Sequence, residues 1–425
     1  MTLGASQISG IQPDDLTIET YEDWLTYEPI SDTNLNSSLH KMVIDNDNNI
    51  HSFWCSENET ANTETLYHKI SYANSSTITT NIVGISGSFS NVYDLDVDSL
   101  NQIHLIIRNN TGDLINYYVV TDTTWELTSV VDVDINNYCV VVDSLNNVHL
   151  IYSAYDGNIY DSVYSNNNWQ EIQVTDYQVD EGTEYFVSFF LEKTKSLQGK
   201  IAILYSFEIS NLLPKVPSVG QIHCLIYKGG LWGDPKIISE TLTYCYSIEF
   251  DDTEKLHLVW TNFEDTTNIN YQTYRKNKWS VIKTPSLFES TETPYGYYSV
   301  FEMNLELQGT TILLAYTKAK FLNPVGFDFD LFIAQSTDGE NWISEAVYTS
   351  NLTRSWKPFI ESTTDGDVYV VAFEKDYTYV YNDTIYFGYA EDLFTYQTTT
   401  VGLESILFIC AAPLIIFIYK KKTKK

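Results

Sequence analysis

One phrase keeps returning along this chain. It is an Asp, a short polar turn, an aliphatic residue followed by His, and then several apolar or aromatic residues. It reads Asp47-Asn48-Asn49-Ile50-His51, Asp98 to Ile103-His104, Asp143 to Val148-His149, and Asp252 to Leu256-His257. Degenerate copies begin at Gly199, Gly309 and Asp365. A second phrase follows each copy: a short alternating segment, a polar turn, then Trp and another short segment. Trp169 and Trp279 mark the clearest cases, and Trp125, Trp232 and Trp342 hold the same place in their copies. A repeat of this length is one supersecondary unit that cannot bury its apolar face alone, so its neighbours must cover it.

Each unit reads as four short strands, A to D, separated by turn-forming residues. In the third unit they cover 138–142, 148–153, 159–164 and 169–174. Units begin near 37, 89, 136, 183, 243, 295 and 354, a spacing of roughly 50 residues that is typical of propeller blades. The fold class expected is all-β: a seven-bladed β-propeller over 37–400, with six or eight blades as neighbouring solutions. An open ring would expose a strand edge. Residues 21–28, within an N-terminal segment 1–36 and carrying Trp24, resemble a spare D strand. They are expected to pair with the last unit's C strand near 385–389 and latch the ring. In the alternative, 394–399 supply that strand and 21–28 pack elsewhere.

Aromatics make up 15% of the chain, including 33 Tyr, a composition that favours strands. A net charge of −32 excludes the basic footprint of a nucleic-acid binder. Five Cys in 425 residues do not make a disulfide scaffold, and no disulfide is assigned. The C-terminal end differs in character. Residues 401–419 contain an apolar run, and residues 420–425 carry five Lys. That is the pattern of a short membrane span with a cytoplasmic tail. The expected location is therefore the cell membrane, single-pass, with the propeller extracellular. Six Asn-X-Ser/Thr sequons, at Asn36, Asn58, Asn74, Asn109, Asn351 and Asn382, fit that side as glycosylation acceptors. The first residues show no basic or apolar leader. Either the start is misassigned or the C-terminal span directs insertion. A tail-anchored cytosolic protein is the rival.

The repeats resemble the sialidase-like, BNR-type repeats of secreted and surface propellers, as in His149-Leu150-Ile151-Tyr152 and His257-Leu258-Val259-Trp260. Ser336-Thr337-Asp338-Gly339-Glu340-Asn341-Trp342 looks like a shortened Asp-box. The C-terminal tail is similar to sorting tails of archaeal surface proteins. For a sialidase, the resemblance would imply three Arg around a substrate carboxylate, a Tyr nucleophile with its Glu, and an Asp acid/base. This chain has only Arg108, Arg275 and Arg354. Arg275 falls in a C–D turn, on the face opposite the other two, so a typical sialidase site is not expected.

The A–B and C–D connections are tight, whereas the B–C and D–A loops are long and uneven, and binding tends to live on such loops. That face carries Asp176, Asp180, Glu181, Glu184, Glu289, Glu292, Asp328, Asp330 and Arg354 as candidate binding residues. Clustered carboxylates suit Ca²⁺, and Asp45, Asp47 and Asn49 form a fragment of a Ca²⁺ loop, although turns select Asp and Asn anyway. His51, His104, His149 and His257 stand at equivalent places in separate units, too far apart to converge on one metal ion. Each is expected to bond locally. These residues lead to three readings. In the first the chain is a monomeric surface module that binds a glycan or a protein. In the second it is a carbohydrate-active enzyme, a glycosidase or lyase. In the third it is a structural component of the cell-surface layer. The residues favour a non-enzyme, with no cofactor beyond Ca²⁺.

Overall fold

The computed structural model describes residues 19–391, apart from 21–25, 30–35, 59–62, 73–82, 88, 110–113, 122–123, 133–134, 155, 177–183, 188–190, 211–220, 240–242, 263–264, 286, 288–298, 323–325, 350–352, 364–367 and 378–379. The expected span at 401–419 and the Lys tail lie outside them. No helix among the described residues is long and apolar enough to cross a membrane.

The chain is a β-propeller whose described strands form six hydrogen-bonded sheets. Five are consecutive antiparallel runs. The third run shows how the sequence builds one: Ile135–Val142, Val148–Ala154, Ile159–Ser165 and Asn168–Gln173 pair in chain order. The fourth run is interrupted. Its inner strand is split into Glu184–Val187 and Glu192–Lys195, both pairing with Ile201–Ser210, and its outer strand is split into Leu231–Trp232 and Lys236–Ser239. The sixth sheet has nine strands. It contains two antiparallel runs, one from Ser299–Gln308 to Ile343–Thr349 and one from Thr353–Ser362 to Val380–Glu391. A single parallel pair, Phe329 with Arg354, joins them. The early strand Thr26–Pro29 pairs antiparallel with residues 386–389 of Val380–Glu391.

Turn chemistry explains the tight connections. Asn166-Asn167, Gly229-Gly230 and Lys276-Asn277 all have positive φ at both positions, the requirement of a two-residue hairpin whose twist matches its strands. In the A–B turns the fourth residue is left-handed: Asn48, Asn101, Asn146, Gly199 and Glu254. The Asp that opens the turn closes it. Asp143 Oδ1 accepts the N–H groups of Leu145 and Asn147, both at 2.8 Å. Asp98 and Asp251 repeat the pattern. So does Asp45, which makes Asp45 and Asp251, rather than the neighbouring Asp47 and Asp252, the structural equivalents of Asp98 and Asp143.

Between sheets the core is apolar. Ile106, Ile115 and Tyr117 of the second run pack on Tyr138, Val140 and Leu150 of the third. Comparable seams follow between later runs. Met42 and Ile50 of the first run pack with Phe359 of the last, so the two ends of the strand order meet. At roughly 1.5–3 kcal/mol per fully buried large side chain, these seams outweigh any single polar contact.

Candidate functional site

Three polar arrangements stand out within this scaffold, and they do different work. The first is a buried chain repeated in four runs. It starts at the turn Asp, passes to the B-strand His, then to a polar residue on the C strand, and ends at the D-strand Trp of the next run. In the second run His104 Nε2 lies 3.3 Å from Asp98 Oδ2 and Nδ1 lies 2.6 Å from the Tyr117 hydroxyl, against which Trp169 packs edge-on. In the first run His51 joins Asp45 to His68, beside Trp125. In the fifth, His257 joins Asp251 to Tyr271, beside Trp342. In the third, His149 lies between Asp143 at 3.5 Å and Asp161 at 2.9 Å, and Trp232 donates its indole N–H to Asp161 at 2.9 Å.

The C-strand partner sets His149 and His257 apart in charge. Burial alone would lower His149, but the two carboxylates raise it to about 9. Burial, with Lys255 nearby, lowers His257 to about 4. The fourth run has Ser196 and Ala202 at the Asp and His positions, and its seam is filled by Ala202, Cys224 and Trp279 instead. These chains are buried, and each links one run to the Trp of the next.

The second arrangement surrounds the propeller axis. Asp96, Glu249, Glu306 and Glu361 each stand two residues before an A–B turn begins. Burial raises Glu249, Glu306 and Glu361 above the usual carboxylate range, Glu306 to about 7, and the charge of Glu306 pushes the other two further up. Beside them Lys193 Nζ contacts Asp94 Oδ2 and the Leu95 and Val140 carbonyls at 2.5–2.6 Å. Lys195 does the same with Asp96 at 2.8 Å and the Val97 carbonyl at 2.6 Å, and Lys41 reaches Asp94 at 2.8 Å. The loop-centred expectation missed this layer. Its signal was present as charges alternating with apolar residues on inner strands, as in Asp94-Leu95-Asp96-Val97.

The third is an open groove of about 620 Å³ between the fourth and fifth runs, within the usual range for small-ligand sites. It lies where Lys236–Ser239 leaves the fourth sheet and Leu256–Asn262 ends in the fifth, at the B–C and D–A ends of the strands. Trp260 and Ile238 form its floor, Ile237 and Ile282 stand exposed at its sides, and Ser239, Asn262 and Asn270 supply polar groups. Asn270 is 8% exposed, and its carboxamide has no hydrogen-bond partner among the described residues. Among the described lining residues, Lys236 supplies the one charge.

The expected site residues fall elsewhere. Asp176 is exposed after the third run, Glu184 opens the fourth, and Asp328 and Asp330 lie on the sixth run's C strand. The Phe329–Arg354 pair sets Arg354 beside the last two along the backbone. Asp180, Glu181, Glu289, Glu292 and Trp24 lie outside the described residues. In the turn proposed for Ca²⁺, Asp45 accepts from Asp47, Asn49 and His51, and Asp47 accepts from Asn101. Among the described residues no group of three or more His, Cys, Asp or Glu is arranged to hold a metal ion. Arg275 sits in the C–D hairpin, paired with Lys278. Cys55, Cys139, Cys224 and Cys245 are free thiols.

No protein-family model and no curated protein matches this chain. It is similar in fold to several solved structures. The Cps50 (Swd1) β-propeller domain of Myceliophteria thermophila is 8% identical over 85% of this chain and 99% of that one, with a TM-score of 0.50. A protein of unknown function from Dyadobacter fermentans is 10% identical over 87% and 98%, at 0.49. The β-propeller domain of the Trilobed protease from Pyrococcus furiosus is 8% identical over 87% and 98%, at 0.47.

Proposed function

We propose that this chain is a seven-bladed, membrane-anchored propeller that binds glycans on the outer side of the cell. The count is supported by separating the nine-stranded sheet at its single parallel pair, which leaves seven antiparallel runs. The strand Thr26–Pro29 then acts as the fourth strand of the last blade and latches the ring. The apolar run within 401–419 and the terminal lysines supply the anchor and its orientation.

One observation carries the binding reading: the groove between the fourth and fifth runs, with its unpartnered Asn270. A sugar presents an apolar ring face and a rim of hydroxyls. Exposed Ile237 and Ile282 suit the first, and the carboxamides of Asn270 and Asn262 suit the second. A glycan array probed with the full chain in detergent, with and without EDTA, tests it. We expect binding to a subset of sugars, unchanged by EDTA. Absence of binding to every sugar would remove the reading in favour of a protein partner or a structural layer component.

The axial carboxylates favour a second reading, a carbohydrate-active enzyme. Acids held above the usual range are the groups such catalysis needs. That reading requires release of reducing ends from polysaccharide, lost in Glu306→Gln. Retained binding without product separates the first reading from the second.

A further inference from the structure

We infer that the groove selects an anionic sugar, one carrying a carboxylate, with Lys236 as the residue that determines the preference. This deepens the glycan reading and rests on it. Charge is the starting point. The chain carries 56 acidic residues against 24 basic ones, yet among the described residues of the groove lining there is one ammonium group and no carboxylate. Lys236 is exposed and makes no ion pair among the described residues. Lys283, next in sequence to the lining residue Ile282, is already engaged, at 3.0 Å from Glu340 and 2.8 Å from the Asp338 carbonyl. An exposed ammonium group beside an apolar floor gives an anion a point of attraction within the groove itself.

The uncharged groups define the rest of the ligand. The Asn270 carboxamide brings two N–H donors and a carbonyl acceptor to the groove lining. A ligand that supplies hydroxyls can exchange hydrogen bonds with it there. Ser239 and Asn262 extend the polar strip. Ile237, at 41% exposure, and Ile282, at 44%, offer a flat apolar contact for a ring face. A simple anion would use only Lys236, and a neutral sugar only the remainder. A carboxylated pyranose uses both.

The test compares two ligands of one shape, trigalacturonate and its fully methyl-esterified form, binding to the full-length protein by calorimetry at low salt. The expected result is at least tenfold tighter binding of the acid form, a gap that narrows as salt is added. Lys236→Gln brings the ratio to about one while the ester's affinity stays unchanged. Asn270→Leu weakens both forms by about tenfold. A thermal melt confirms that the second variant is folded, and the exposed Lys236 variant carries the test if it is not. Equal affinity of acid and ester for the wild type overturns the charge preference and leaves the glycan reading standing. So does selective binding of neutral array sugars with no binding of trigalacturonate. Absence of binding to these and to every array sugar removes both.

Discussion

At the scale of the residue, His149 and His257 show that equivalent sequence positions need not share a charge state. His149 faces two carboxylates, and its folded pKa of about 9 stands above the ordinary value near 6.5. The stability it confers is complete below pH 6.5 and is lost as the pH rises through about 9. His257 faces a tyrosine and one carboxylate and is held at about 4. Its contribution is present above pH 6.5 and is lost as the pH falls through about 4. We expect Asp161→Asn to cost about 2 kcal/mol at pH 6, the worth of a charged hydrogen bond. Denaturant melts from pH 6 to 10 should show that deficit shrinking toward pH 9. A deficit independent of pH would mean that His149 is neutral. The expectation that each His bonds locally was legible in the sequence. Its partners were not, because the C-strand residues His68, Tyr117, Asp161 and Tyr271 share a position only after the strands are paired.

At the scale of the element, backbone sterics decide what the turns tolerate. Gly339 has φ near 72°, and a Cβ there would stand 2.0 Å from the Tyr271 ring. Gly339→Ala therefore meets both a strained backbone and a side chain that itself bonds His257. We expect a loss of about 2–3 kcal/mol by urea denaturation. Lys276 has φ near 51° without being Gly or Asn, a conformation that costs a side-chain residue roughly 1–2 kcal/mol. Lys276→Asn should raise stability by about 0.5 kcal/mol, and a loss on the same measurement would mean that the hairpin is not strained. These turns were readable as turns from their Asn, Asp and Gly content. The reason for Gly339 was not, since its obstacle comes from the preceding run.

At the scale of the whole molecule, two features join distant parts of the chain. Glu249, Glu306 and Glu361 come from three different runs; burial raises all three above the usual range, and Glu306 adds repulsion to the other two. A raised acid binds more protons folded than unfolded, so its effect is most favourable below about pH 4.5 and fades as the pH rises through about 7 for Glu306. Glu306→Gln should raise Tm by about 2 °C at pH 8 and leave it nearly unchanged at pH 5. An equal effect at both pH values would place Glu306 in open solvent. The other feature is the pairing of Thr26–Pro29 with residues 386–389. Removing residues 1–30 exposes that edge. The expected outcome is a lower Tm and concentration-dependent association by light scattering. An unaltered melt would show that the strand adds nothing to closure.

The sequence by itself determined the repeat, the strand content, the tight turns and the acidic balance, because each follows from local periodicity and local backbone preference. Likeness to the other D strands led it to expect residues 21–28 beside the last unit's C strand near 385–389, and Thr26–Pro29 pairs with residues 386–389. Only the tertiary structure decided what those units enclose. The groove draws Lys236 from one run and Asn270 from the next, and the axial layer draws one acid from each of several runs. Such neighbours are set by how sheets pack face to face across some fifty residues of chain, a distance that no local pattern encodes.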